Sequence, residues 1–320
     1  MRALVLGGGL HFVTDHPDPE PGPGDALVRV RLAGICGTDL EQVEGYGAFD
    51  GVPGHEFVGE VLACASRPEL VGKRVVGDIN VTCGSCTACR GGRRTHCPWR
   101  VALGIRGLDG AFAERLCLPA TNLHPVPLVV RDEQAVFVEP LAAACRILEQ
   151  VSQFDGQRVV VVGDGRLGLL TARVLRAAGC AVTVLGRHED KLERVREDGI
   201  VTTTDVADVA ADAPLVIEAT GSTDGLEVAL SLVRPTGAVV LKSTCAGDST
   251  PQVDWNRVVV DEIRIIGSRC GPLDVALAKL ADGTVVVSDL VDYEYPLDEG
   301  MDAFEHAGRP GALKVLLRPS

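Results

Sequence analysis

The chain has 320 residues, of which 46% are hydrophobic and only 4% aromatic. It can therefore fill about two ordinary domain cores with aliphatic side chains and is not globally disordered. A formal net charge of −13 argues against a nucleic-acid surface, and no apolar run approaches the roughly 18 residues of a membrane span, so no membrane partner and a cytoplasmic location are expected.

The opening Met1-Arg2-Ala3-Leu4-Val5-Leu6 is a short apolar run. An acidic, Pro-rich stretch with no small-residue cleavage site follows it, so it reads as a strand and not as a signal peptide. Residues 27–32 alternate apolar and basic side chains as a half-buried strand does, and 57–63 and 74–81 are further strands of a β-rich first third. The pattern changes near residue 139. A helix over 141–151 contains no Gly or Pro, and 158–162 is a β-branched run suited to a strand buried on both faces. Helices at 169–178, 190–197 and 226–233 then alternate with strands at 181–185, 214–218, 238–241 and 262–267, which predicts a parallel sheet covered on both faces. A helix at 274–280 and a strand at 313–317 finish the chain.

Three patterns carry chemistry. Eleven cysteines in such a chain point to metal, and an odd number cannot pair fully. Cys83, Cys86, Cys89 and Cys97 lie among glycines in a stretch too polar for a core, so four thiolates wrapping one structural zinc is the expectation against four unrelated thiols. Cys36, Thr38, His55, Glu56 and Glu139 are scattered, and each alone is compatible with packing or, for Glu139, with a carboxylate at a helix start. Gly163-Asp164-Gly165-Arg166-Leu167-Gly168 follows a strand and opens a helix, the context in which such a turn binds a dinucleotide pyrophosphate instead of serving as an ordinary connection.

Together these motifs, with Asp109-Gly-Ala-Phe112-Ala-Glu114, resemble the zinc-dependent alcohol dehydrogenases of the medium-chain dehydrogenase/reductase superfamily nearly end to end and in order. The resemblance implies an α/β architecture. A Rossmann cofactor domain (140–269) is inserted in a GroES-like, partly open β-barrel catalytic domain with a structural-zinc lobe (1–139 and 270–320). It implies hydride transfer between a small-molecule alcohol or polyol, or the matching aldehyde or ketone, and a nicotinamide cofactor. It further implies a catalytic zinc held by Cys36, His55 and Glu139, a nearby carboxylate in Glu56, a proton-relay hydroxyl in Thr38, and Asp39 orienting His55. Several relatives carry a His a few residues after the relay hydroxyl, where this chain has Glu41. A homodimer or homotetramer built through the 263–268 strand is implied as well. A zinc-stabilised binding protein without catalysis would have no use for the complete Cys36, Thr38, His55, Glu139 set, and a zinc-free quinone or enoyl reductase would need neither metal motif.

The cofactor expectation comes from the strand at 181–185. NAD enzymes of this fold end it with an acid for the ribose 2′-OH. Here it ends in Gly186-Arg187-His188. The glycine is expected to leave room for a 2′-phosphate, and Arg187, with His188, Arg166 or Lys191, to bind it. NADP is therefore expected over NAD, against the alternative that Arg187 is solvated and Glu189 or Asp190 contacts the ribose.

Overall fold

The computed structural model describes residues 1–45, 47, 49–151, 156–244 and 253–319. The chain divides into two units, 1–139 with 276–282 and 291–320, and 140–275 with 283–290.

The first unit is built on a seven-stranded sheet. Its path runs Leu123–Pro125, Arg74–Gly77, Glu56–Cys64, Asp25–Gly34, Lys314–Arg318 and Val291–Pro296, with Arg115–Pro119 also paired to Asp25–Gly34. Asp25–Gly34 is the axis. Its ten residues bury Ala26, Val28, Val30 and Leu32 on one face while Arg29 points out, the alternation of a half-buried strand. The strand expected at 74–81 is broken in two because Asp78 Oδ1 accepts the Asn80 N–H at 2.9 Å, closing a turn between Gly77 and Asn80.

The second unit is an α/β sheet of six parallel strands. Their order is Val201–Thr203, Ala181–Leu185, Arg158–Val162, Ala213–Glu218, Val233–Leu241 and Arg264–Gly267. The strand Arg158–Val162, first of this sheet in the chain, is central, with Val159 to Val162 all buried. The order reverses beside it, and ligands of doubly wound sheets bind at that switch point. Val162, Leu185 and Glu218 are in register there, so the loops that follow them leave the sheet at one level. The helix after Arg158–Val162 begins at Arg166, three residues earlier than its aliphatic run suggests, because Gly165 already serves as its cap.

Residues 270–275 and 283–290 cluster with the second unit, whereas the sequence placed all of 270–320 in the first. Arg173 is the reason for the latter segment: its guanidinium donates to Val286 O and to both Asp289 carboxylate oxygens while also binding Asp198. Among the described residues no helix is long and apolar enough to cross a membrane.

Candidate functional site

Cys83, Cys86, Cys89 and Cys97 converge. The sulfurs lie 3.5 Å apart for Cys86–Cys89, 3.6 Å for Cys83–Cys97, 3.8 Å for Cys86–Cys97 and 4.0 Å for Cys83–Cys89. Four thiolates at about 2.3 Å from one zinc form a tetrahedron with edges of about 3.8 Å, so this cage fits the ion. The N–H groups of Ser85 and Cys86 draw the Cys83 thiol down to about 6, while desolvation and Cys86 push Cys89 up to about 11. A dication would hold both as thiolates. Four protein ligands leave no open position, which is the arrangement of a structural site.

The second cluster is assembled around the end of the axial strand. Cys36 follows Gly34 and caps the helix Gly37–Val43, where its backbone N–H donates to Asp39 Oδ2 at 2.7 Å. The other oxygen of buried Asp39 lies 3.3 Å from Nδ1 of His55. This contact leaves Nε2 as the ring's ligand atom and fixes its orientation. Burial works against a charged imidazole, but Asp39 and the Cys36 sulfur outweigh it and hold the His55 pKa well above its usual value. The surroundings therefore favour a cation. Ligand atoms of Cys36, His55 and Glu56 all fall within 4.8 Å of one another, and a thiolate, an imidazole and a carboxylate are the ligands zinc takes when one position stays open.

Glu139, the carboxylate ligand that the resemblance implies, is not among the three residues whose ligand atoms meet within that distance. It is half-buried in the first turn of the helix Val138–Gln150, while Glu56, next in chain to His55, is carried into the cluster by the strand Glu56–Cys64. Glu56 stands directly opposite Gly34 in the sheet. A Cβ on Gly34 would come within 2.8 Å of Glu56 Oε2 and 2.7 Å of Val136 Cγ1, so only glycine admits this carboxylate. Gly54, before His55, has φ +96°, and a Cβ there would lie 2.6 Å from the Phe112 ring. Thr38 is half-buried in the first turn of Gly37–Val43.

The Gly-rich turn has the geometry of a dinucleotide cradle. Gly163 has φ +120° and a Cβ there would meet Ala219 O at 2.8 Å, so the turn packs against the neighbouring strand's end. A Cβ on Gly168 would meet Gly163 O at 2.1 Å, which draws the helix Arg166–Ala177 onto the turn. Gly165, the cap, faces open space. These are the tight turn, the close packing and the free approach that a pyrophosphate at a helix N-terminus requires. Arg166 and Leu167 are half-buried in the helix's first turn, Arg187 is exposed and His188 half-buried.

Gly186 does not leave the empty volume the sequence suggested. A Cβ there would lie 2.6 Å from Asp164 Cβ and 2.7 Å from Asp164 Oδ2. The Asp164 side chain fills the place because its Oδ2 accepts the backbone N–H groups of Arg187 at 2.7 Å and His188 at 2.6 Å.

Two residues escaped the sequence reading. Lys314 is 1% exposed and forms an ion pair with equally buried Glu56; its signal was a lone basic residue opening the aliphatic strand Lys314–Arg318. Asp164 was quoted only as a spacer between glycines, although an acid inside the turn of a chain that lacks the strand-end acid is legible.

The Alcohol dehydrogenase GroES-like domain family matches residues 22–128, and the Glucose dehydrogenase C-terminus family matches 132–317. The chain is 32% identical to a sorbitol dehydrogenase of Halalkalibacterium halodurans, covering 100% of this chain and 99% of the relative. It is 30% identical to an L-threonine 3-dehydrogenase of Aeromonas salmonicida, covering 96% and 95%. A protein of Sinorhizobium meliloti 1021 assigned as a zinc-binding dehydrogenase, bound to NADP in its crystal structure, superposes with a TM-score of 0.91 at 29% identity over 99% of both chains.

Proposed function

The chain belongs to the zinc-dependent alcohol dehydrogenases of the medium-chain dehydrogenase/reductase superfamily, and from that premise we propose how its residues share the work. The protein is a zinc-dependent oxidoreductase that transfers a hydride between an alcohol or polyol, or the matching aldehyde or ketone, and a nicotinamide cofactor. The observation that carries the residue-level reading is the convergence of Cys36, His55 and Glu56 with Asp39 behind the imidazole.

When bound, zinc supplies the Lewis acidity that makes a hydroxyl acidic and a carbonyl electrophilic, and the nicotinamide exchanges the hydride. Cys36 and His55 would hold the metal together with a carboxylate, Glu139 as the resemblance implies, with Glu56 already within reach of both. Asp39 keeps the His55 ring in one tautomer and one orientation. Thr38 accepts the substrate's hydroxyl proton. Glu41, one helical turn further, has its pKa raised by burial and by Glu44 and is the proposed next acceptor, in place of the His that several relatives carry. Cys83, Cys86, Cys89 and Cys97 hold a second, structural zinc.

The first unit is the catalytic domain, essentially 1–139 with most of 270–320, and 140–269 is the core of the cofactor domain. Gly163, Gly165 and Gly168 receive the pyrophosphate. NADP is preferred because exposed Arg187 makes no ion pair among the described residues and is free to bind a 2′-phosphate. The sheet's outermost strand Arg264–Gly267 leaves Ile265 37% exposed, and Val259 and Val260 on the preceding helix are 75% and 78% exposed. We assign this edge to a homodimer or a dimer of dimers. The thiol-rich composition supports a cytoplasmic setting.

The test is metal analysis and turnover. Protein purified without chelator should carry close to two zinc ions per chain and change nicotinamide absorbance with members of a panel of polyols, simple alcohols and carbonyls. NADP should give the higher kcat/KM, and Arg187→Ala should lose that advantage. Zinc-loaded protein that turns over no member of the panel with either cofactor would defeat the reading.

A further inference from the structure

The ribose end of the cradle lacks its usual acid, and the structure shows what stands in its place. Asp164 is 7% exposed. Its Oδ2 takes three bonds, from Arg187 N at 2.7 Å, His188 N at 2.6 Å and the His188 ring Nδ1 at 3.0 Å. Its Oδ1 takes none among the described residues. The carboxylate therefore reaches across from the Gly-rich turn, between the first two glycines, to the end of the strand Ala181–Leu185. It occupies the volume from which an acid at position 186 would project.

Three consequences follow from elementary chemistry. A carboxylate pinned through one oxygen has a fixed second oxygen, and a fixed acceptor is what a ribose hydroxyl needs. The donors around Oδ2, together with the His188 ring, outweigh the burial that opposes ionisation and hold the Asp164 pKa low, so the group is an anion at neutral pH. An anion there repels a 2′-phosphate, and the exposed Arg187 beside it is the cation that offsets this. The two backbone N–H groups at 187 and 188 are already engaged, so they are not available to a phosphate.

We propose that Asp164 is a specificity-determining residue. It supplies from the Gly-rich turn the ribose-hydroxyl acceptor that Gly186 cannot, and so keeps NAD(H) a competent ligand beside the 2′-phosphate site of Arg187. The inference rests on the reading of the second unit as a nicotinamide-cofactor domain. It goes beyond that reading in assigning opposite preferences to two neighbouring side chains: Asp164 draws the free ribose and Arg187 the phosphorylated one.

The experiment is calorimetric binding, which needs no turnover, of NAD, NADP, ADP-ribose and 2′-phospho-ADP-ribose to zinc-loaded wild type and Asp164→Asn. Asparagine keeps a carbonyl oxygen for the two backbone donors and replaces the second oxygen, with its charge, by an NH2 donor. The expected result is a loss of about tenfold or more in affinity for NAD and ADP-ribose, the order of one hydrogen bond to a charged group, with 2′-phosphorylated ligands held unchanged or bound more tightly. As rescue, Asp164→Gly combined with Gly186→Asp returns the acid to the strand end. This variant should recover the NAD affinity that Asp164→Gly alone loses, and it keeps the proposal testable if the asparagine variant is unstable. Equal loss for both ligand classes would make Asp164 a merely structural residue and overturn the proposal, as would no change in either. Failure of wild type to bind any of the four would overturn the cofactor-domain reading itself.

Discussion

Replacing Lys314 with Met removes one half of a buried ion pair and keeps most of the side-chain volume. Lys314 and Glu56 are each 1% exposed. The Lys314 Nζ also lies 3.4 Å from Ile35 O and 5.6 Å from the Phe137 ring centroid, so it is enclosed by strand backbone and an aromatic face. Without it Glu56 is a buried carboxylate with no paired cation among the described residues. Stranding one member of such a pair costs about 3–5 kcal/mol. At roughly 2–4 °C per kcal/mol for a chain somewhat smaller than this one, a fall in Tm on the order of 10 °C is expected. The assay is urea denaturation of metal-free protein together with a thermal scan. Glu56→Gln combined with Lys314→Met removes both charges and should recover most of the loss, since a neutral pair needs no counterion. Zinc loading should shrink the single variant's deficit, because the metal gives Glu56 a second cation. A single variant within about 1 kcal/mol of wild type in the metal-free state would refute the reasoning, and so would a double variant less stable than the single one.

Cys89→Ser should carry one zinc fewer by elemental analysis and unfold at lower urea, since structural zinc contributes folding free energy. Cys36→Ala should show no detectable turnover while its circular dichroism and urea midpoint stay close to wild type. Asp132 sits between Arg31 at 2.7 Å and Arg74 at 2.7 Å. Burial pushes its pKa up, but the two guanidinium groups outweigh it and hold the folded-state value below the ordinary carboxylate range. Its contribution is therefore fully present above the unfolded value of about 3.9 and is lost as pH falls from there through the folded value. Asp132→Asn should be less stable by about 2 kcal/mol at pH 7, and the gap to wild type should close below about pH 4 in acid denaturation series. A gap that persists unchanged at pH 2 would show that packing, not charge, is responsible.

Local pattern made most of the parallel sheet legible, because its strands alternate with helical segments and Arg158–Val162 is a continuous β-branched run. Val159 to Val162 are buried on both faces and read so directly. The strand Val201–Thr203 was not legible. It is three residues long with Val201 63% exposed, and it is fixed by pairing to Ala181–Leu185, which no window of sequence around it encodes. The four-cysteine cage was legible for the same reason as the sheet: its members are close in the chain, so spacing alone brings them together.

The remaining site residues divide by how far apart in sequence their partners lie. Cys36 and His55 were recognisable as motif members, and the sheet brings them together. The resemblance names Glu139 as the ligand carboxylate, and sheet register brings a second carboxylate, Glu56, to the same cluster. Gly34 and Glu56 pair across the sheet, and Lys314, 258 residues from Glu56, enters on the strand that pairs with Gly34 from the other side. Gly34, two residues before Cys36, is thus the gap that accommodates a buried ion pair. The same logic explains the ribose end of the cradle. Gly186 was read as open because a glycine has no side chain of its own. In a packed turn, however, the absence of a Cβ is an invitation to a neighbour, and Asp164, 22 residues earlier, takes the place. Reading a glycine as room for a ligand is sound only after asking which side chain of the same fold can reach that room first. Here an acid does, so Asp164→Asn, and not a change at Gly186 alone, is the variant that tests cofactor choice.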